Sequence, residues 1–309
     1  MRFKALLLAA GKGTRLWPLT EVRAKAAVPY RGVPLVRRLA EQFLAAGVSD
    51  VAVNLHHLPH TVRTALRGIP VTYSYEEGLL GTSGALHPLR VFLEGSWFWT
   101  VNAKIATTPL PPFGVTTEDL AIITAVLVRA PGGAPYTRVD TAGSPPRIAG
   151  FREAASHDGT GFLFTGVQLV SPLIWEFLPG PGFSHFPSDV YPRIEAAGQS
   201  VAAWVSAGVW REFSTVSRYL QHHLDEGCSP EWWGSDARIS PTANVSDSVI
   251  WDGVVVEEGA AVHRCVLTDG VRIRSGRSVD RAAVVRLDRT GRDPRGEVLD
   301  DNLVVPIRV

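Results

Sequence analysis

Residues 6–29 read LLLAAGKGTRLWPLTEVRAKAAVP, and this stretch organises the rest of the 309-residue chain. Its apolar beginning at 5–10 predicts a short buried strand of a parallel sheet. The strand is followed by a loop with two glycines, Gly11 and Gly13, a hydroxyl group and two cations. Glycines let backbone N–H groups approach a phosphate closely, and cations neutralise its charge. The stretch therefore predicts a polyphosphate-binding loop, and an ordinary strand-to-helix turn is the alternative for the loop alone.

Composition narrows the class of protein. The chain has 45% hydrophobic residues, 20% charged residues and a formal net charge of +1. Without a basic excess we expect no nucleic-acid partner, and the apolar runs are too short to predict a membrane partner. Two cysteines cannot form a disulfide framework, and no signal peptide is indicated, so we expect a protein of the reducing cytoplasm. Because the chain as a whole carries almost no net charge, any site that binds polyanions must be made by a local group of cations.

The segments after the loop alternate between helical and strand patterns. Helical spacing runs over 35–46, and short apolar strands are predicted at 51–55, 71–75 and 97–101. Such alternation predicts parallel crossover units, with ligands at the carboxyl ends of the strands. The predicted fold class is α/β, with a mostly parallel, Rossmann-like sheet.

The longer string favours the phosphate-binding interpretation. Gly-x-Gly-Thr-Arg-Leu, followed by Pro-Leu-Thr at 18–20, Lys25 and Val-Pro at 28–29, resembles the signature of the sugar-1-phosphate nucleotidyltransferases. That family makes a nucleoside-diphosphate sugar and pyrophosphate from a nucleoside triphosphate (NTP) and a sugar 1-phosphate. It usually has Pro-Lys-Pro where this chain has Ala-Lys-Ala at 24–26. The lysine is kept and both prolines are replaced.

The string LGTSGAL at 80–86 is the second motif. Its glycines permit a flat ring or a sugar to lie against the backbone, whereas a helix cap made by Thr82 or Ser83 is the structural alternative. The string resembles the Leu-Gly-Thr-Ala-Gly-Ala-Leu that contacts the nucleobase in the family. The resemblance assigns the following residues to the nucleotide: Ala10, Gly11, Gly13, Thr14, Glu76, Gly81, Thr82 and Gly84.

Three histidines, His56, His57 and His60, could suggest a metal cluster. Adjacent side chains at a strand end point to opposite sides, and no carboxylate or cysteine stands nearby in the sequence. We therefore favour surface or loop histidines over a metal site.

The fourth strand departs from the family pattern. The family has Asn-Gly-Asp, whose aspartate binds the Mg²⁺ that bridges the phosphates of both substrates, whereas this chain has Asn-Ala-Lys at 102–104. An ammonium replaces a carboxylate, so the usual ion cannot bind there in the usual way. Either Lys104 neutralises phosphate charge itself, or the chain is a non-catalytic relative that binds a nucleotide and regulates a partner. The resemblance still implies Mg²⁺, which in the first account could be bound only to the NTP.

Later strings complete the site that the resemblance implies. Glu212 lies in a string that resembles Trp-x-Asp-Ile-Gly-Thr, whose aspartate is the second metal ligand. The family lysine that holds the sugar phosphate is replaced by Ala154. The resemblance assigns to the sugar phosphate Asn102, Glu153, Thr165 and Gly166. It assigns to catalysis the cations Arg15 and Lys25, and we add Lys104 as the cation that stands at the altered metal position.

The sequence pattern changes after residue 226. Aliphatic residues at near-hexapeptide spacing, with Gly and Asp at turns, predict a small left-handed parallel β-helix over 236–285. Only two or three coils fit, so we expect a packing or oligomerisation cap through which copies of the chain associate. The predicted organisation is a nucleotidyltransferase domain at 1–226, the β-helix at 236–285, and a tail at 286–309 that ends in a docking strand.

The function predicted from these observations is a sugar-1-phosphate nucleotidyltransferase. A phosphate oxygen of the sugar attacks the α-phosphorus of the NTP, and catalysis is mostly positioning and charge neutralisation. The domain plan resembles that of mannose-1-phosphate guanylyltransferases, which favours GTP and mannose 1-phosphate, although glucose-1-phosphate enzymes share the front motifs. The alternatives are the non-catalytic regulator and, more weakly, a hexapeptide-repeat interaction protein whose first domain is a scaffold.

Overall fold

The computed structural model describes residues 2–108, 121–130, 136–152, 161–291 and 295–308. The chain splits into two compact units, and each unit is assembled from segments that are separate in the sequence. The first unit comprises Met1–Ala10, Leu39–His56 and Leu66–Trp210. The second unit comprises Gly11–Arg38, His57–Ala65 and Arg211–Val309.

Strands predominate in the described residues. In chain order they are β1 (Phe3–Leu8), β2 (Pro29–Tyr30), β3 (Val33–Pro34), β4 (Asp50–Leu55), β5 (Val71–Tyr75), β6 (Trp97–Asn102), β7 (Ile105–Thr108), β8 (Ile123–Arg129), β9 (Arg138–Ala142), β10 (Arg147–Arg152), β11 (Phe162–Val170), β12 (Ala202–Ser206), β13 (Val209–Glu212), β14 (Arg238–Ile239), β15 (Asn244–Ser246), β16 (Val249–Ile250), β17 (Val255–Val256), β18 (Ala261–His263), β19 (Val266–Leu267), β20 (Arg272–Ile273), β21 (Ser278–Asp280), β22 (Ala282–Arg286), β23 (Glu297–Leu299) and β24 (Asn302–Pro306). The α-helices are α1 (Leu35–Ala45), α2 (Pro59–Ala65), α3 (Arg90–Leu93), α4 (Tyr191–Ala196) and α5 (Val216–Leu224). None of these helices combines the length and the apolar character that a membrane span requires.

The first unit is built on a nine-stranded sheet in the order β5-β4-β1-β6-β11-β8-β12-β10-β9. From β5 to β6 the strands are parallel, as expected. In the other half, β11 runs antiparallel to both β6 and β8, and β10 runs antiparallel to both β9 and β12. The expectation of a mostly parallel, Rossmann-like sheet was therefore wrong, because the sheet is mixed. Strands β8 to β11 follow one another without a helix in the described residues, and antiparallel neighbours need no crossover helix.

The register of the parallel half places several strand ends together. Leu8 at the end of β1 pairs with Asn54 on one side and with Asn102 on the other. The β1 residues Ala5 and Leu6 are fully buried, as the apolar run at 5–10 predicted. The ends of three neighbouring strands therefore lie side by side at the carboxyl edge of the sheet, where Asn54 and Asn102 flank Leu8.

The second unit contains the hexapeptide region. Its coils stack through three parallel ladders: β14-β17-β20, β15-β18-β21 and β16-β19-β22, and the third ladder continues through β24 and β23 into a five-stranded sheet. Arg238 pairs with Val255, and Val255 with Arg272, so the repeat is seventeen residues. Aliphatic side chains such as Val254 and Val271 fill the interior of the coils. Strand β24 pairs antiparallel with β22, which confirms the expected last strand, and the left-handed sense of the coils stays a prediction.

Candidate active site

A buried chain of hydrogen bonds joins the end of β1 to the 80–86 loop. The Asn54 side chain accepts a hydrogen bond from the Ala9 amide at 2.6 Å and donates to Glu76 Oε1 at 2.7 Å. The other carboxylate oxygen of Glu76, Oε2, accepts a hydrogen bond from the Leu80 amide at 3.1 Å. Asn54 and Glu76 are each 2% exposed. Glu76 therefore positions the loop from within the protein, and a direct contact with the nucleotide stays a prediction.

Both glycines of the 80–86 loop are required by packing. A Cβ on Gly81 would lie 2.2 Å from the Ser184 carbonyl oxygen, and Gly81 has a φ of +76°. A Cβ on Gly84 would lie 2.1 Å from the Gly182 carbonyl oxygen. Real Cβ atoms do not approach backbone oxygens so closely, since protein interiors are already close-packed. The glycines thus allow two backbone segments to lie directly against each other.

The hydroxyl residues between these glycines contact the same segment. The Ser83 hydroxyl bonds to the Ser184 hydroxyl at 2.8 Å, and no described side chain caps the 3₁₀-helix at Gly84–Leu89, so the capping interpretation was wrong. The Thr82 amide donates to His185 Nδ1 at 3.1 Å. Because Nδ1 is an acceptor, neutral His185 carries its proton on Nε2.

A cavity of about 370 Å³ adjoins this loop, a volume within the range of small-molecule sites. Three residues that the sequence analysis assigned to the substrates line it: Thr82, Asn102 and Gly166. A Cβ on Gly166 would lie 2.5 Å from Asn102 Nδ2, so this glycine lets the two strands approach. The other lining residues are Leu8, Thr100, Phe164, Gln168, His185, Phe186, Pro187 and Ser188. The structure thus brings predicted nucleotide and sugar residues into one cavity.

Gln168 presents a fixed amide to this cavity and was missed by the sequence analysis. The Tyr191 hydroxyl donates to Gln168 Oε1 at 2.6 Å, and both side chains are buried. Burial raises the pKa of Tyr191 far above its usual value, so the hydroxyl stays protonated and remains a donor. Because the amide oxygen faces Tyr191, the amide nitrogen is the group that Gln168 can offer to a ligand.

The structure does not bring every predicted residue to the cavity. The buried Thr165 hydroxyl donates to the Val126 carbonyl oxygen at 2.8 Å, and Thr165 is not among the described residues that line the cavity. Ala10 is buried at 5% exposure. Lys104 is half-buried in the turn after β6, where its amide donates to the Asn102 carbonyl oxygen at 2.8 Å. Glu153 and Ala154 lie outside the described residues.

The phosphate loop lies in the second unit. No described atom lies within 4 Å of a Cβ placed on Gly11, so a ligand can reach the backbone there. Gly13 has a φ of +65°, and a Cβ on it would lie 2.9 Å from Thr20 Cγ2 and 3.0 Å from Lys25 Cβ. The loop therefore packs onto Lys25 through Gly13. The exposed residues of the loop are Gly11, Lys12, Thr14 and Arg15.

The donor groups do not fit a protein-held Mg²⁺. Glu212 is buried, and its Oε2 accepts hydrogen bonds from the Ser214 hydroxyl at 2.9 Å and from the Arg218 guanidinium at 3.1 Å. A guanidinium on this oxygen repels a divalent cation that would compete for it. Among the described residues, no group of three or more His, Cys, Asp or Glu side chains could hold a metal ion. The other expected ligand position is Lys104, so we assign no catalytic step to a protein-bound metal.

The histidines at the end of β4 hold backbone groups. His56 Nδ1 donates to the Glu76 carbonyl oxygen at 2.9 Å. His57 Nε2 donates to the Thr20 carbonyl oxygen at 2.8 Å. Each ring therefore supports a segment of its own unit that contains a predicted site residue.

Comparisons with known proteins follow the order of the motifs. The family described as "Nucleotidyl transferase" matches residues 4–102, and the family described as "GlmU-like, C-terminal hexapeptide" matches residues 233–289. The first match includes the phosphate loop and the 80–86 loop. The second includes the three ladders of the hexapeptide region.

Known relatives match most of the chain at low identity. The mannose-1-phosphate guanylyltransferase of Mycobacterium tuberculosis is 24% identical in an alignment that covers 84% of this chain and 83% of that protein. The UTP–glucose-1-phosphate uridylyltransferase of Synechocystis is 22% identical in an alignment that covers 82% of this chain and 72% of that protein. The crystal structure of HddC from Yersinia pseudotuberculosis has a TM-score of 0.62 at 22% identity, over 73% of this chain and 100% of that chain. The structural likeness shows a shared fold.

Proposed function

We propose that this chain, a relative of the sugar-1-phosphate nucleotidyltransferases, makes a nucleoside-diphosphate sugar and pyrophosphate from an NTP and a sugar 1-phosphate. Its nucleotidyl transferase domain and its GlmU-like hexapeptide region are the premise of this proposal. The observation that carries it is the 370 Å³ cavity, in which Thr82, Asn102 and Gly166 come together. These residues come from three separate strings that the resemblance assigns to the two substrates.

The reaction joins two phosphates that both carry negative charge. An oxygen of the sugar 1-phosphate attacks the α-phosphorus of the NTP, a new P–O bond forms, and pyrophosphate leaves in line. We assign Arg15 to the leaving pyrophosphate and Lys25 to the phosphates at the reacting centre. Lys25 lies under the loop that exposes the Gly11 backbone, which supports this role. Catalysis is then a matter of positioning and charge neutralisation.

Lys104 supplies the positive charge that the family obtains from a metal at this position. It follows Asn102, which lines the cavity, so its ammonium belongs to a segment that carries a substrate-binding residue. An Mg²⁺ that arrives bound to the NTP is part of the substrate in this account. The contact between Arg218 and Glu212 supports this role of Lys104. Glu212 is the other carboxylate expected to bind a metal, and it already has a cationic partner.

The favoured substrates are GTP and mannose 1-phosphate. The name of the M. tuberculosis relative supports this pair, and one structure of HddC is complexed with GMP-PN. UTP and glucose 1-phosphate are the second pair, as the Synechocystis relative suggests. The division at 1–226, 236–285 and 286–309, the cytoplasmic location and the association of copies through the hexapeptide coils remain parts of this proposal.

A second candidate is a non-catalytic relative that binds a nucleotide or a nucleotide sugar and regulates a partner. Two observations favour it. Lys104 stands where the family has a metal-binding aspartate, and Glu212, at the other metal position, accepts a hydrogen bond from Arg218. The intact Arg15, Lys25 and Gly166 favour the enzyme.

Pyrophosphate release decides between the candidates. The wild-type chain would be assayed with GTP, ATP, UTP, CTP and dTTP, each against mannose and glucose 1-phosphates, with Arg15→Ala as the control that removes one exposed cation. We expect release with one preferred pair and a strong loss in the control. Absence of release in every pair, with NTP binding still detected by thermal shift, would overturn the enzyme and leave the regulator. A ligand at 100 times its Kd adds about 2.7 kcal/mol to the free energy of unfolding, so binding is readily seen.

A further inference from the structure

The hexapeptide coils hold the signature segment through Arg23. Arg23 Nε donates to Asp269 Oδ2 at 2.7 Å, and its Nη2 donates to Asp269 Oδ1 at 2.6 Å and to Asp252. The guanidinium lies over the Trp251 ring, 5.1 Å from the centroid. The Arg23 side chain is only 15% exposed. We call Arg23, Trp251, Asp252 and Asp269 the Arg23 clamp.

Hydrogen bonds that do not involve Arg23 hold the two carboxylates of the clamp. Asp252 and Asp269 are seventeen residues apart, so they occupy equivalent places in successive coils. The Asp252 amide donates to Asp269 Oδ1 at 3.3 Å, and the Ser235 amide donates to Asp252 Oδ1 at 2.7 Å. The coils therefore present a rigid pair of acceptors to the fork of the guanidinium.

A second link from the same coil holds the other end of the segment. Trp251 Nε1 donates to the Tyr219 hydroxyl at 2.9 Å, and that hydroxyl donates to the Pro29 carbonyl oxygen. Trp251 and Tyr219 are both fully buried. Residues 23–29 are thus tied at both ends to Trp251 and its neighbours, and Lys25 lies between the two ties.

The clamp differs from an ordinary surface ion pair. Arg274 and Asp301 in the same unit form a pair at 2.9 Å with side chains 51% and 70% exposed, and such pairs contribute little. Burial opposes the charge of Arg23, yet Asp269 and Asp252 hold the pKa of its guanidinium above the usual value. A buried ion pair is weak evidence of stabilisation, but its fixed geometry specifies one arrangement of the chain.

We propose that the hexapeptide region positions the phosphate loop, because the Arg23 clamp fixes residues 23–29 and so keeps Lys25 packed beneath Gly13. The four clamp residues are positioning residues that act through Lys25. This inference rests on the proposed function, in which Lys25 binds the reacting phosphates. It gives the hexapeptide region a role beyond the packing or oligomerisation cap that the sequence pattern suggested.

The test uses the full chain with Asp252→Asn and Asp269→Asn combined, and Asp301→Asn as the matched control that breaks the exposed pair. Hydrogen exchange over 22–30 and steady-state pyrophosphate release would be measured on the same samples. We expect faster exchange over 22–30 and a kcat lower by about tenfold or more, with a smaller change in KM for the NTP. The control should leave exchange and kcat unchanged. Arg23→Lys, which keeps the charge and loses the fork, should fall between wild type and the double variant.

Each result decides a different part of the inference. Unchanged exchange over 22–30 in the double variant overturns the clamp, whatever the activity. Faster exchange with an unchanged kcat overturns the positioning role. If the double variant does not fold, Trp251→Phe removes the hydrogen bond to Tyr219, keeps an aromatic ring, and should give the same effects at smaller size. A wild type that releases no pyrophosphate overturns the proposed function and the catalytic role of the clamp, while exchange in the same sample still reports whether the clamp exists.

Discussion

The glycines of the 80–86 loop and Gly11 of the phosphate loop have different surroundings. A Cβ on Gly81 or Gly84 would lie 2.2 or 2.1 Å from a backbone carbonyl oxygen, whereas no described atom lies within 4 Å of a Cβ on Gly11. The 80–86 loop is therefore held by close backbone packing in the first unit. In the second unit, charged and titratable groups hold the segment that follows Gly11: Asp269 accepts a hydrogen bond from Arg23, and His223 accepts one from the Arg31 amide. A glycine of a motif can thus mark tight packing, as at Gly13, Gly81 and Gly84, or an open backbone, as at Gly11.

The largest effect should separate the two motifs. We expect Gly84→Ala to lower the free energy of unfolding by about 3 kcal/mol or more, because its Cβ meets the Gly182 carbonyl oxygen and the backbone must move. Gly11→Ala is the matched control. We expect it to change the free energy of unfolding by no more than about 0.5 kcal/mol, since the new Cβ would point into open space. Urea unfolding of both variants provides the measurement. Equal destabilisation by the two substitutions would contradict the comparison.

Acid should destabilise the second unit through His223. Burial lowers the pKa of His223 to about 4, with Arg31 and His222 also opposing its charge and Glu226 favouring it. Its Nδ1 donates to the Tyr219 carbonyl oxygen at 2.8 Å, and its Nε2 accepts from the Arg31 amide. Between pH 6.5 and about 4 the unfolded state therefore binds more protons than the folded state at this residue, so stability falls as the pH is lowered.

This histidine should account for about 3 kcal/mol of the free energy of unfolding lost across that interval. Chemical denaturation at a series of pH values measures the loss in wild type and in His223→Asn, which keeps a donor and does not titrate there. The variant should show the shallower slope. Identical slopes for the two proteins would show that His223 carries a normal pKa.

A smaller effect should come from the buried carboxylate beneath the 80–86 loop. Glu76 accepts hydrogen bonds on both oxygens, so Glu76→Gln places an NH₂ group against a donor, either Asn54 Nδ2 or the Leu80 amide. We expect a loss of about 2 kcal/mol in the free energy of unfolding. The neighbouring Glu77 is exposed, and Glu77→Gln should be neutral. A neutral Glu76→Gln would argue against the hydrogen-bonded chain from β1 to the loop.

The smallest effect should come from Tyr191→Phe, which removes one hydrogen bond to Gln168. A loss of about 1 kcal/mol is expected, together with a higher KM for one substrate, because the amide of Gln168 can then turn its oxygen to the cavity. Thermal unfolding and the pyrophosphate assay report the two consequences separately. A stability loss without any change in KM would mean that Gln168 does not contact substrate.

Local sequence patterns predicted many of the strands and helices of this molecule. They did not predict which distant strands pair. The strand at 71–75 and the parallel half of the sheet followed from apolar runs and their alternation with helical segments. The hexapeptide region followed from its own repeat. The antiparallel pairs of β11 were missed because the connections between β8 and β11 carry no helical signal in the described residues.

The candidate site divides in the same way. Thr82, Asn102 and Gly166 were identified from short strings, and they line one cavity. Gln168 gave no signal, because its partner Tyr191 is 23 residues away in a separate segment. Arg23 lay inside the quoted signature, yet its partner Asp269 is 246 residues away. Sequence spacing shows which residues recur in a motif, whereas only the fold shows what holds them in place.

In the proposed reaction, the ammonium of Lys104 takes the place of a metal ion. The most direct measurement is kcat/KM for pyrophosphate release by Lys104→Ala and by wild type, on the substrate pair that wild type prefers, with Lys104→Arg as the control that keeps the charge. We predict a loss of roughly a hundred- to a thousandfold in Lys104→Ala and a smaller loss in Lys104→Arg. A Lys104→Ala enzyme as fast as wild type would contradict the claim.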